Sequence, residues 1–211
     1  MLIILIIPVS IGAIVLSEPV VRVVFERGKF DSVATELTSV ALSYYSIGMV
    51  GLALKSILDK VFYSLKDTKT PMVNGALAMG INILLNLILI NFMGYKGLAL
   101  ATSISSIICV ILLFRKLKNK IGYFGQDKII MTLVKCTIAS SLMGIVVYIM
   151  HKFVEFNFYL NKIGEVISLF AFIIIGALIY ALSIKFMKIE EFDILFGIFK
   201  SKLDKFKISS K

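Results

Sequence analysis

Long apolar runs separated by short polar segments dominate the chain. A helix needs about 20 mostly apolar residues to cross roughly 30 Å of hydrocarbon. Strict alternation of polar and apolar positions is absent, so we predict that these runs are helices. The pattern predicts an all-α, polytopic membrane helical bundle with about six transmembrane helices, at residues 1–25, 37–63, 71–93, 98–114, 129–150 and 163–187.

The first apolar run is interrupted near its end. Ser17, Glu18 and Pro19 break it before it resumes, and Pro8 lies earlier in the same run. Prolines inside helices cause kinks, so we expect a kink or turn within this stretch. A signal peptide is disfavoured because no basic segment precedes the run. Because the chain opens directly into the run, we expect that the natural protein begins upstream, so that this chain is a fragment or a split gene product.

Composition supports a membrane protein. Hydrophobic residues make up 59% of the 211 residues and charged residues only 17%, whereas soluble domains are typically about 45–50% apolar. The formal net charge of +10 lies mainly in short loops and near the end of the chain. This placement favours anionic membrane lipids over nucleic acid as the partner of the positive charge.

Loop charges predict the orientation in the membrane. Fifteen lysine and arginine residues fall on the side that holds residues 60–69, 115–128 and 185–211, and six fall on the opposite side. Cytoplasmic loops carry the excess of positive charge. We therefore expect a multi-pass protein of the inner, cytoplasmic membrane with both termini in the cytoplasm.

The last stretch, residues 188–211, predicts a basic amphipathic tail. Apolar side chains recur there at helical spacing opposite lysines. Such a helix is suited to lie on the cytoplasmic leaflet. A solvated helical tail is the alternative.

Charged and small residues share one face of the second apolar stretch. Tyr44, Gly48, Gly51, Lys55 and Asp59 follow one another at spacings of three and four. The two glycines permit close approach of another helix, and the two charges are one turn apart, so they can pair. Lys55 and Asp59 are therefore candidates for lining a substrate path; the alternative is an internal ion pair.

Two amides occupy one face of the third stretch. Asn82 and Asn86 are one turn apart, and polar residues within the membrane are rare and call for a partner. They are candidates for a hydrophilic path. The alternative is a pair of interhelical hydrogen bonds.

Groups suited to bond-making chemistry are not evident in the sequence. No phosphate-binding glycine loop, paired-carboxylate arrangement or nucleophilic triad is present. Cys109 and Cys136 lie in apolar runs without metal-ligand spacing, which indicates packing residues. We therefore predict no catalytic residue, metal site or cofactor, and a transporter is favoured over an enzyme.

Several short motifs occur in an order that resembles one family. The segments are PVVRVVFERGKF at 19–30, YSIG at 45–48, FYSLKDTKTP at 62–71, NILLN at 82–86 and GYKGLALA at 94–101. They are similar to the EPI-hydrophobic-FERGxF, Y-x-x-G and FYAxxDTKTP patterns and their neighbours in the MurJ/MviN family of lipid II flippases. The resemblance is close over residues 1 to about 120 and mainly hydropathic beyond.

Two of these motifs have direct physical interpretations. In the first, Gly28 permits a tight turn, Arg27 can reach head-group phosphates or cap helix carbonyls, and Phe30 ends the motif. We assign these three residues to a head-group or turn motif. In the FYSLKDTKTP segment, Thr70 is the candidate N-cap of the next helix, with Pro71 at its first position.

The resemblance implies an architecture and a transport mechanism. The MurJ/MviN family belongs to a superfamily that also holds polysaccharide exporters and MATE transporters. Members of the family have two lobes around a cationic cavity, with two extra C-terminal helices. Residues 1–120 would be the last four helices of the second lobe, and 121–187 the additional pair, whose groove with the lobe is thought to hold the lipid tail. The implied activity is alternating-access movement of lipid II.

The arginines with which family members grip pyrophosphate lie mainly in parts that have no counterpart here. No essential transport residue is therefore transferred, and the missing N-terminal half is expected as a partner. The sequence leaves open two alternatives: an exporter of another undecaprenyl-linked polysaccharide, and a non-transporting scaffold for cell-wall synthesis.

Overall fold

The described residues form seven α-helices. The computed structural model describes residues 2–157 and 161–187, so the predicted tail at 188–211 lies outside the described residues. The helices are α1 (Leu2–Val15), α2 (Ser17–Phe25), α3 (Ser32–Ser64), α4 (Lys69–Met93), α5 (Tyr95–Ile121), α6 (Gln126–Asn157) and α7 (Lys162–Phe186).

Five helices, α3 to α7, are long and apolar enough to cross a membrane, and α1 with α2 makes a sixth span if the bent pair is counted as one. Helices satisfy their backbone hydrogen bonds within the segment, which is what hydrocarbon demands. The prediction of an all-α polytopic bundle with about six spans is confirmed. The observed helices mostly extend several residues beyond the predicted runs.

The first span is broken between α1 and α2, which are bent by 76°. Pro19 has no N–H, so the carbonyl of Val15 lacks its usual intrahelical donor. Beside this gap, the Ser17 hydroxyl donates to the Ile14 carbonyl at 3.1 Å. The predicted break is confirmed. Pro8, by contrast, lies inside α1 without ending it.

Helices α3 and α5 pack closely through glycines on α3. A Cβ on Gly48 would lie 2.6 Å from the Cα of Ser103, and one on Gly51 would lie 2.7 Å from the Ser106 hydroxyl. The Ser103 hydroxyl donates to the carbonyl of Tyr44 at 2.6 Å. The predicted close approach at Gly48 and Gly51 is confirmed, and α5 is the helix that approaches.

Two hydrophobic cores hold the bundle. One joins α3 to α5 and is built around Leu58, Phe62, Cys109, Leu113 and Leu117. The other joins α1 to α6 and α7 and includes Ile4, Cys136, Met143, Phe172 and Tyr180. Both cysteines are fully buried in different cores, as their apolar surroundings in the sequence indicated.

Glycines also permit close packing of the helices around the second core. A Cβ on Gly144 of α6 would lie 2.8 Å from a methyl group of Ile11 in α1, and one on Gly176 of α7 would lie 3.1 Å from Val147. At one end of this pair of helices the Lys135 ammonium donates to the Met187 carbonyl at 3.2 Å. This contact satisfies a carbonyl at the C-terminus of α7.

Candidate functional site

Lys55 and Asp59 form an ion pair on α3. The Lys55 ammonium lies 2.7 Å from Oδ2 of Asp59, and the two side chains are 31% and 17% exposed. The other carboxylate oxygen of Asp59, Oδ1, is buried and has no hydrogen-bond partner among the described residues. The predicted pairing is therefore confirmed, while a role of the pair in a substrate path stays a prediction.

Asn82 links α4 to α5, and Asn86 bonds to Asn82 within α4. The Asn82 amide donates to the hydroxyls of Thr102 and Ser105, each at 3.3 Å. The Asn86 amide in turn donates to the Asn82 carbonyl oxygen at 3.1 Å. Interhelical hydrogen bonds, the alternative to a hydrophilic path, are therefore present at Asn82, whereas the bond of Asn86 lies within α4. The carbonyl oxygen of Asn86 is buried and has no partner within the described part of the chain.

Helix α5 brings these two pairs near each other. Leu58, the neighbour of Asp59, packs in one core with Cys109, and Asn82 bonds Ser105, one helical turn from Cys109 on α5. The thiol of Cys109 also contacts the backbone carbonyl of Asn74 at 3.7 Å. The structure therefore places both pairs beside α5, and we call Lys55, Asp59, Asn82 and Asn86 the polar row.

Asn74 is a further amide on α4, and its backbone lies beside Cys109. It is 0% exposed, its amide donates to the Thr70 carbonyl at 2.9 Å, and its carbonyl oxygen Oδ1 has no partner in the described residues. A buried polar acceptor without a donor is destabilising by about 1–3 kcal/mol. Its signal in the sequence was an amide within an apolar run, on the same helix as Asn82.

The turn between α2 and α3 contains Arg27, Gly28 and Phe30. The Arg27 guanidinium donates to the Val24 carbonyl at 3.1 Å, which caps the last turn of α2. Gly28 has φ +62°, in the left-handed region that favours glycine. The Phe30 ring lies 6.0 Å from that of Phe25, centroid to centroid. The predicted tight turn and carbonyl cap are present.

Ion pairs link successive turns of α2, and a hydrogen bond joins the end of α2 to α3 beside this turn. Arg22 lies 2.6 Å from Glu18 and 3.8 Å from Glu26. The Thr35 hydroxyl of α3 donates to Glu26 at 2.9 Å. The polar side of the short helix is therefore tied to the start of α3, while Val24 and Phe25 remain exposed.

The loop between α3 and α4 is organised by Asp67. Its carboxylate accepts hydrogen bonds from the backbone N–H and the hydroxyl of Thr70, both at 2.9 Å, and pairs with Lys120 at the end of α5. These contacts, above all the Lys120 ammonium, lower the pKa of Asp67 to about 2. The predicted N-cap at Thr70, with Pro71 at the first helical position, is wrong: α4 begins at Lys69 and its cap position is Thr68. The capping acceptor is Oδ1 of Asp67, which accepts from the Thr70 N–H.

An apolar groove separates α1 from α7, with α6 as its floor. Its volume is about 440 Å³, and the lining includes Leu5, Pro8, Gly144, Phe172, Gly176 and Tyr180. Both glycines are close to side chains of neighbouring helices, so they permit close packing of the helices that form the groove. A groove of this composition accommodates an apolar chain rather than a polar head group.

Known proteins resemble this chain over most of its length. A family model described as "Lipid II flippase MurJ" matches residues 1–185. The chain belongs to the MurJ family. A solved structure described as "Lipid II flippase MurJ, inward closed conformation" superposes with a TM-score of 0.72 and 30% identity over 88% of the chain.

Individual MurJ relatives agree with this assignment. A protein of Vibrio cholerae described as "Probable lipid II flippase MurJ" is 38% identical over 137 residues, which is 65% of this chain and 26% of the relative. One of Thermotoga maritima with the same description is 31% identical over 186 residues, which is 88% of this chain and 36% of the relative. The chain thus spans about a quarter to a third of the length of these MurJ relatives.

Membership of the MurJ family confirms the resemblance inferred from the motifs. It also confirms the expected fold class, a helical membrane bundle of the MurJ type. MurJ proteins are described as flippases, which move a substrate across a membrane rather than convert it. Sequence reasoning did not identify the contacts of Asp67 with Lys120 or of Asn82 with Thr102, because each joins residues that are 20 or more positions apart.

Proposed function

We propose that this chain is part of a lipid II flippase, and that it moves the lipid-linked peptidoglycan precursor outward by alternating access together with the rest of the transporter. The observation that carries this proposal is the similarity to the MurJ structure over 88% of the chain, which corresponds to 36% of that protein. On this proposal the chain is not an enzyme, and its partners are lipid II, anionic membrane lipids and the remaining, N-terminal part of a transporter.

The proposed division of the chain has two parts. Residues 1–120 form the last four spans of the second lobe, and 121–187 form two additional helices. In support of the first part, α3 and α5 share one core; a second core, in which α6 and α7 pack on α1, joins the two parts. The tail at 188–211 lies along the cytoplasmic leaflet in this scheme, and both termini are cytoplasmic.

The polar row on α3 and α4 is the proposed contribution to the substrate path. Lys55, Asp59, Asn82 and Asn86 are its members. Support comes from two buried acceptors, Oδ1 of Asp59 and Oδ1 of Asn86, that have no donor among the described residues. Water or a polar group of the substrate would satisfy them, since unpaired acceptors in an apolar environment are unfavourable.

The apolar groove between α1 and α7 is the proposed site for the lipid tail. Its lining is almost entirely apolar, and it is bounded by the helix pair that the family resemblance assigns to tail binding. Arg27 and Phe30 lie in the turn after α2, and we propose that this turn contacts lipid head groups at the outer surface. Exposed Val24 and Phe25 next to it support insertion into the interface.

The exposed face of α4 is the proposed contact with the rest of the transporter. No residue in its most apolar window is buried, compared with 44% in α5. Gly75 and Gly80 of α4 have no atom within 4 Å of an added Cβ, whereas Gly48 and Gly97 face neighbouring helices at 2.6 and 2.5 Å. Small residues on a bare transmembrane face suit the close approach of a further helix.

Depletion of the complete transporter tests the proposed function. We expect lipid II to accumulate on the cytoplasmic face, and re-expression of this chain with its complementary part to reverse the accumulation. Two matched variants in that setting, Lys55→Ala and Lys60→Ala, distinguish a role in the substrate path from the loss of one positive charge. Lys60 is the control because it is exposed and is not a member of the row.

Three results would contradict parts of this proposal. Normal lipid II with a mislocalised synthase would indicate a scaffold. Accumulation of a different undecaprenyl-linked saccharide would indicate another exporter. Unchanged growth and lipid II levels with Lys55→Ala would leave Lys55 with an internal, structural role only.

A further inference from the structure

The proline in α1 leaves a backbone carbonyl without its helical donor. In an α-helix the carbonyl of residue 4 accepts from the N–H of residue 8. Residue 8 is Pro8, which has no N–H. The Ile4 carbonyl is therefore deprived of its regular partner. Ile4 is only 2% exposed, so solvent does not compensate for the loss.

A side chain from the far end of the sequence satisfies this carbonyl. The hydroxyl of Tyr180, on α7, donates to the Ile4 carbonyl at 2.6 Å, across a separation of 176 residues. Tyr180 is 7% exposed. Buried tyrosine hydroxyls require a partner, and carbonyls freed by proline in membrane helices are commonly satisfied by neighbouring helices. The bond therefore gives the Tyr180 hydroxyl an acceptor and the Ile4 carbonyl a donor.

The bond lies beside the apolar groove. Pro8 and Tyr180 both line it, one from each wall. Ser140 and Cys136 of α6 lie near the same hydroxyl, so the floor of the groove also converges on this point. The hydrogen bond between Tyr180 and Ile4 is directional, whereas apolar contacts between α1 and α7 permit sliding.

We propose that the Tyr180–Ile4 hydrogen bond is a latch that ties α7 to the proline-interrupted turn of α1 and sets the width of the apolar groove at that end. Tyr180 is thereby a positioning residue for whatever occupies the groove. Only the identity of that occupant rests on the proposed function. The latch itself depends on the donor, the acceptor and Pro8.

A double-mutant cycle tests the latch in the full chain purified in detergent. Tyr180→Phe keeps the ring and removes the donor. Pro8→Ala gives α1 an N–H that can satisfy Ile4 from within the helix. Nitroxide labels on Leu2→Cys and Leu182→Cys, two residues from either end of the bond, report the distance between α1 and α7. Leu2 and Leu182 are exposed, while the two native cysteines are fully buried.

The latch predicts a specific pattern across the four proteins. Tyr180→Phe broadens the distance distribution and lowers the midpoint of thermal unfolding by about 2–8 °C. In the Pro8→Ala background the same substitution has an effect at least several-fold smaller, because the carbonyl no longer depends on the hydroxyl. Tyr148→Phe, an exposed tyrosine on α6, is the control and changes neither quantity.

Equal effects of Tyr180→Phe with and without Pro8 would overturn the proposal, since the hydroxyl would then act through another partner. An unchanged distance distribution in Tyr180→Phe would overturn it as well. No lipid II is used in these measurements. Failure of the latch would therefore leave the proposed flippase function standing, and loss of the flippase assignment would leave the latch standing.

Discussion

Replacing Gly48 with alanine tests whether close packing of α3 on α5 holds the bundle. The added Cβ would lie 2.6 Å from both the Cα and the hydroxyl of Ser103. A backbone atom cannot move aside as the end of a flexible side chain can, so the two helices must separate. That movement also stretches the hydrogen bond from Ser103 to the Tyr44 carbonyl, now 2.6 Å.

The expected loss of unfolding free energy has two parts, the overpacking at Gly48 and the weakened hydrogen bond from Ser103 to Tyr44. Overpacking a well-packed core is destabilising by about 1–3 kcal/mol, and an interhelical hydrogen bond in a membrane protein contributes about 0.6 kcal/mol on average. We expect Gly48→Ala to lower the free energy of unfolding by about 2–4 kcal/mol. The matched control is Gly75→Ala on α4. An added Cβ there has no atom within 4 Å, and removing a helix glycine is favourable by about 0.4–1 kcal/mol.

The two native cysteines supply the assay. Cys109 and Cys136 are 0% exposed, so a thiol-reactive fluorophore reports unfolding of the detergent-solubilised chain without added labels. Gly48→Ala should react at a clearly lower temperature than the unchanged chain, and Gly75→Ala at the same or a slightly higher temperature. Equal midpoints for the two variants would refute the reasoning, because they would mean that α3 and α5 do not meet at Gly48.

Three further expectations concern charge. The pKa of the Asp67 carboxylate is lowered to about 2, so the carboxylate contributes stability that is present above its ordinary pKa of 3.8 and is lost as the pH falls through about 2. Asp67→Asn should therefore remove part of the acid sensitivity of thermal unfolding between these pH values. Identical pH profiles for the variant and the unchanged chain would contradict the ion pair. Lys55→Met leaves the Asp59 carboxylate unpaired beside a core and should destabilise the chain by about 1–2 kcal/mol. Adding Asp59→Leu should restore much of that loss. A double variant that is less stable than the single variant would contradict this expectation. Cysteines introduced at Lys118 or Lys205 should resist impermeant thiol reagents in intact cells, and ready labelling of either would reverse the proposed orientation.

Many local features follow directly from the sequence. The spans follow from apolar length, because hydrocarbon leaves the backbone no partner outside the segment. The break before α2 follows from Pro19, which removes a specific N–H. The pairing of Lys55 with Asp59 follows from helical geometry, since residues four apart on a helix are neighbours whatever packs around them.

Predictions from the sequence were wrong or stayed open where a hydrogen-bond or ion-pair partner lies far away along the chain. Thr70 has the residue type of an N-cap, but Asp67 supplies the capping acceptor while it also pairs with Lys120, more than fifty residues away. The amides of Asn82 and Asn86 have the pattern of a hydrophilic path, yet Asn82 bonds across to α5 and Asn86 bonds to Asn82. Residue type predicts that a polar group needs a partner, but it does not identify the partner.

The sequence by itself therefore determined the number and approximate ends of the spans, the bend in the first one, and the close approach permitted by Gly48. Each depends on groups within a few residues of one another along a helix, where covalent geometry sets the distances. Only the tertiary structure decided that α5 is the helix facing Gly48, and that Tyr180 satisfies the carbonyl that Pro8 leaves free. Those contacts depend on which helices pack side by side and at what register, and that arrangement minimises the free energy of the whole bundle rather than of any one segment.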